Sequence, residues 1–118
     1  MASFVSVVYN SEYALECIII EGHAGIKKSG EGYEVCIALS ALSQALYRAL
    51  IHTIGDDFFR NKKYNGFFSL ELINWNKLES DKKKEYKIVS NGYLIGIKSL
   101  IKEYPDFIKY KEEYKNGT

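Results

Sequence analysis

Two histidines, two cysteines and a single proline are spread over 118 residues, and each scarcity removes a class of function. No Cys-x-x-Cys or His-x-x-x-His spacing occurs, so no metal and no cofactor is expected. The formal net charge is +1. Without a global field of one sign, neither nucleic acid nor an anionic membrane is expected as a direct partner. No uninterrupted apolar run approaches the roughly 18 residues of a membrane span. Met1-Ala2-Ser3-Phe4-Val5 lacks the basic start and apolar core of a signal peptide. The expectation is a cytoplasmic protein in which Cys17 and Cys36 stay reduced.

What is present is a globular composition, 47% apolar and 26% charged, in the size range of one domain over residues 1–118. Lysines gather at Lys62-Lys63 and Lys82-Lys83-Lys84 and read as solvated surface.

Ser3 to Tyr9 alternates as a strand, with Val5, Val7 and Tyr9 on one face. Asn10-Ser11-Glu12 is turn chemistry, and Tyr13 to Glu21 returns as the second arm of a hairpin. Alternation groups Cys17 with Leu15 and Ile19, as a packed and structural cysteine. Glu34 to Ile54 has the clearest helical period, through Val35, Leu39, Leu42, Leu46 and Leu50, and Gly55 ends it. Asp57–Tyr64 and Phe67–Trp75 flank Asn65-Gly66, the preferred pair for a type I′ turn. Ser80 caps a second helix that runs to Pro105. Gly92 and Gly96 interrupt it, four apart, and make room for a second backbone. Phe107 to Tyr110 is a short final strand, and Lys111 to Thr118 a frayed tail. The order β-β-α-β-β-α, with a possible final β, implies an α+β fold of two layers: an antiparallel sheet with two helices on one face.

Chemistry concentrates between Gly22-His23-Ala24 and Cys36-Ile37-Ala38-Leu39-Ser40. Thiolate is the nucleophilic form of cysteine, and both a nearby imidazole and the positive end of a helix dipole favour it. A histidine that closes a strand and a cysteine in the first turn of a helix supply both. Gly25, Gly30 and Gly32 make the connecting loop sterically easy. Cys36 and Ser40 share one column of the helix, so Ser40 either contacts a ligand near the thiol or back-bonds to its own helix. His52 lies about 24 Å along that helix from Cys36. It suits the helix's carbonyl end, not the role of base.

Gly22-His23-Ala24 followed by Val35-Cys36-Ile37-Ala38-Leu39-Ser40 resembles the ribosomal-processing cysteine protease family, Prp. Gly96-Ile97-Lys98 with Glu103-Tyr104-Pro105-Asp106-Phe107 is similar to that family's closing segment. The resemblance implies a cysteine endopeptidase that removes the N-terminal extension of large-subunit ribosomal protein twenty-seven. Cys36 is then the nucleophile, His23 the base, and Gly22, Ala24 and Ser40 the substrate contacts. It also implies a homodimer, for which the Gly92/Gly96 face is the expected contact, and a loop from Ala24 to Glu34 that closes over bound peptide. Tyr33 stands where the family often carries an aspartate, and Glu31 and Glu34 are the nearest carboxylates. The competing class is a catalytically weak ribosome-assembly or peptide-binding module with the same fold.

Overall fold

The computed structural model describes residues 3–22 and 31–115, with side chains from residue 33 onward in the second part. Its elements are β1 (Ser3–Tyr9), β2 (Leu15–Glu21), α1 (Glu31–Ile54), β3 (Phe59–Tyr64), β4 (Phe67–Leu72), α2 (Ser80–Glu103) and β5 (Ile108–Tyr114). The α+β class and the element order agree with the sequence reading. The strands form one sheet in the order β3-β4-β2-β1-β5. The pairs β1/β2, β2/β4 and β3/β4 are antiparallel, but β5 lies parallel to β1, so the sheet is mixed.

One face of the sheet is buried. Val5, Val7 and Tyr9 of β1, Ile18 and Ile20 of β2, and Phe68, Leu70 and Leu72 of β4 all point into the core. Val35, Leu39, Leu46 and Leu50 of α1, with Tyr86, Leu94 and Ile97 of α2, belong to the same apolar cluster, so both helices cover that face. Burying two such stripes against an alternating sheet is the main favourable contribution to folding. A β-bulge at Val8/Tyr9 shifts the register so that Val8 faces Cys17 while Tyr9 faces Leu15. Leu15 therefore reaches the core, and Cys17 turns to the opposite face, half-buried between Val8 and Glu71. That corrects the grouping of Cys17 with Leu15: strict alternation does not survive a bulge. Burial, reinforced by the Glu71 and Glu16 carboxylates, pushes the Cys17 thiol pKa up.

Other boundaries move for identifiable reasons. α1 begins at Glu31 rather than Glu34. The apolar period starts only at Val35, so a polar first turn carries no signal. Glu79, not Ser80, occupies the N-cap of α2, and it makes no side-chain capping bond. Gly66 has φ 78°, but among the described residues only Tyr13 and Asn74 are non-glycine residues with positive φ. Asn65-Gly66 is thus not a type I′ turn; a positive φ at the second position alone is the type II pattern. β5 extends to Tyr114, through residues expected to fray. A Cβ on Gly96 would meet Leu42 at 3.6 Å, whereas nothing lies within 4 Å of Gly92. Gly96 thus faces α1 of its own chain at an ordinary van der Waals distance, with room for a methyl group.

By length and average hydropathy, Tyr33–Ile54 could cross a membrane, which a count of consecutive apolar residues misses. In the fold this helix places its apolar stripe in the core, as the central helix of a packed domain does.

Candidate active site

Cys36 lies in the second turn of α1, and Ser40 and Gln44 follow it at one-turn intervals. With Leu39 and Ser43 they form one wall of a cavity of about 380 Å³. That volume is within the range of ligand sites. The opposite side comes from the turn between β3 and β4, residues 63–68, and Ser3, Ile20 and Gly22 close the sheet end. The floor is apolar, since Ile20, Leu39 and Phe68 are all buried. At the rim the Tyr64 and Phe67 rings stack with centroids 4.8 Å apart.

Local backbone geometry holds the parts together. Gly22 has φ 87°, a conformation costly for any residue with a Cβ. Its N–H donates to the Gly66 carbonyl at 2.8 Å, tying the end of β2 to the β3–β4 turn. Ser43 is buried and its hydroxyl donates to the Ser40 carbonyl at 2.9 Å, so Ser43 satisfies itself within the helix. Ser40 is exposed on the cavity side. Cys36 is half-buried.

Of the residues expected from sequence, Gly22, Cys36 and Ser40 meet on this one cavity. His23 and Ala24 lie outside the described residues, as does the expected closing loop up to residue 30. Its last four residues, 31–34, form the first turn of α1, which moves Cys36 one turn inward from the helix end. The unpaired N–H groups of the helix belong to that first turn, and the dipole's influence fades within it. His52 is exposed in the last turn of α1, where a basic group suits the dipole.

Sequence reasoning missed Gln44 and the β3–β4 turn. Gln44 was legible as the next step of the Cys36–Ser40 column. The turn was not, because its approach to Gly22 depends on how β2 pairs with β4. Among the described residues no three His, Cys, Asp or Glu side chains gather as metal ligands would.

The fold and the cavity define an α+β protein with a cysteine in the wall of a cleft of ligand-site volume. Residues 4–109 match the family model described as Cysteine protease Prp. The chain belongs to that family. Protein SMU.848 from Streptococcus mutans superposes with a TM-score of 0.70 at 24% identity, covering 97% of this chain and 96% of that one. The essential ribosomal processing protease Prp from S. aureus, in complex with a covalently linked product peptide, gives 0.68 at 22% identity, with 96% and 99% covered. The same S. aureus protease with a substrate peptide gives 0.67 at 23%, again with 96% and 99% covered. These likenesses show a shared fold. No curated protein matches the sequence.

Proposed function

We propose that this chain is a cytoplasmic cysteine endopeptidase that removes the N-terminal extension of large-subunit ribosomal protein twenty-seven. Residues 1–118 act as one domain. The observation that carries the reading is the placement of Cys36 and Gly22, the residue preceding His23, on one cavity. The S. aureus relative, crystallised with substrate peptide and with a covalently linked product peptide, supports it.

In the reaction His23 accepts the proton of Cys36 Sγ, and the thiolate attacks the scissile carbonyl carbon. Collapse of the tetrahedral adduct breaks the C–N bond as His23 returns the proton to the leaving amine, leaving a thioester on Cys36. Water then adds, the S–C bond breaks, and the carboxylic product and free thiol are released. Because Cys36 lies beyond the first turn of α1, helix-dipole activation is weak there. The proton acceptor matters more for that reason. The N–H groups at the start of α1, which lack helical partners, are the backbone donors assigned to the oxyanion. Gly22, Ala24 and Ser40 contact the peptide, and the active form is a homodimer.

The test is incubation with the host's own ribosomal protein twenty-seven, followed by intact-mass measurement. Loss of the N-terminal segment with the wild-type chain, and none with Cys36→Ala, is the expected result. An unchanged mass with the wild-type chain refutes the assignment.

A further inference from the structure

Among the described residues that line the cavity beside Cys36, Lys63 is the one that carries a formal charge. No aspartate or glutamate contributes to the described wall, and among the described residues Lys63 forms no ion pair. Strand register explains its position. Lys63 pairs with Phe68, whose ring is buried in the cavity floor, so both side chains project toward the helix layer. Lys62 pairs with Ser69 and projects to the opposite face. β3 is an edge strand, so Lys63 can lay its aliphatic stem on the rim and keep its ammonium in water. The neutral groups of the wall, Ser40, Gln44 and Asn65, suit the amides of a bound backbone. They leave the positive charge unanswered.

We propose that Lys63 is a specificity-determining residue that selects peptides carrying an acidic side chain at the position facing the β3–β4 turn. This rests on the reading of the cavity as a peptide site, but not on cleavage. A cation that has no carboxylate partner among the described residues attracts a carboxylate and repels a lysine or arginine at the same subsite. Solvent reaches the pair, so the discrimination is that of an exposed ion pair, about three- to fivefold.

The test uses a capped, otherwise uncharged peptide series in which glutamate, glutamine or lysine is moved through each position in turn. Binding is measured on the Cys36→Ala protein, where turnover cannot intervene. At one position glutamate is expected to bind about three- to fivefold tighter than glutamine, with lysine weaker than both. Lys63→Glu is expected to invert that order, and Lys62→Glu, which makes the same charge change on the other face, to leave it in place. At about 1 M salt, where the screening length is about 3 Å, the preference is expected to vanish. Absence of binding, absence of any glutamate preference, or an equal effect of Lys62→Glu and Lys63→Glu overturns the proposal. Cleavage of the same series by the chain with Cys36 intact is read separately. A series bound with the glutamate preference but never cut refutes the protease and leaves the role of Lys63 standing.

Discussion

The two ends of the sheet are built differently. At the end reached by Tyr9, side chains cross-link the layers. The Tyr86 hydroxyl donates to the Leu15 carbonyl at 2.5 Å, and Trp75 Nε1 donates to Glu12 at 2.8 Å. Asn10 Oδ1 accepts from the N–H groups of Glu12 and Ala14, shaping the β1–β2 turn. Tyr9 stacks on Tyr114 with centroids 4.8 Å apart, and Glu112 accepts from both Tyr110 and Tyr114. At the end reached by Ser3, the ties between elements are to backbone carbonyls, Gly22 N–H to Gly66 and the longer Ser3 hydroxyl contact to Gly22 at 3.4 Å. One end spends its side chains on register. The other lines the cavity with Cys36, Ser40, Gln44 and Lys63. Under the proposed function, stability and recognition lie at opposite ends, and substitutions should separate them.

The largest separation is expected from Cys36→Ala, which should abolish peptide cleavage while leaving the melting temperature close to wild type, because the side chain is small and half-buried. Cys17→Ala is its counterpart, with cleavage nearly unchanged and a small loss of stability. Cleavage surviving in Cys36→Ala would end the comparison at once.

Tyr86→Phe should do the reverse. It removes a hydrogen bond to the Leu15 carbonyl in a buried setting, at a cost of about 1 kcal/mol, visible as a fall of several degrees in thermal unfolding. Cleavage well below the melting range should persist. A parallel loss of activity would show that the two ends are coupled.

Gly66→Ala acts on the cavity end through the backbone. At φ 78° a Cβ costs about 1–2 kcal/mol, and the same carbonyl receives the Gly22 N–H. Both chemical denaturation and KM for a peptide should register the change. Stability alone moving would mean that this turn does not shape the binding site.

The smallest effect is expected from Glu112→Gln, read as pH dependence. Hydrogen bonding from the Tyr114 hydroxyl chiefly holds the Glu112 carboxyl below the usual carboxylate range, with Tyr110 and Lys98 adding to it. Since the folded state binds its proton less readily, the contribution is complete above the unfolded value of about 4.3 and is lost as pH falls through the folded one. Solvent screens this part-exposed group, so about 1 kcal/mol is the ceiling. Glu112→Gln should flatten melting temperature against pH on the acid side. An unchanged acid limb would remove Glu112 from the register-fixing cluster.

Legibility cut across that division. Val5, Val7, Tyr9, Phe68, Leu70 and Leu72 were readable as buried because a period of two is a direct imprint of a one-sided sheet. The Cys36–Ser40 column was readable because helical spacing is equally direct. Cys17 was misplaced because the bulge at Val8/Tyr9 is set by pairing between strands, which no local pattern encodes. Lys111 to Tyr114 looked like a tail because three consecutive charges before one tyrosine give no strand signal until Tyr114 meets Tyr9 and Glu112 meets Lys98. The contribution of the β3–β4 turn to the cavity was hidden for the same reason. His23 and Ala24, named from the motif, fall outside the described residues.

The parallel pairing of β5 with β1 has a consequence for how the chain is made. Ser3 pairs with Ile108, across almost the whole sequence. On the ribosome, β1 is followed closely by β2, but its other edge waits until every other strand and helix described has been synthesised. A bare strand edge is a template for pairing with a neighbouring nascent chain, and contacts of such long separation form slowly. Pulse-labelled refolding should therefore show the β5 amides gaining protection last. A β5 protected as early as β2 would mean that the sheet does not close in the order in which its strands are synthesised.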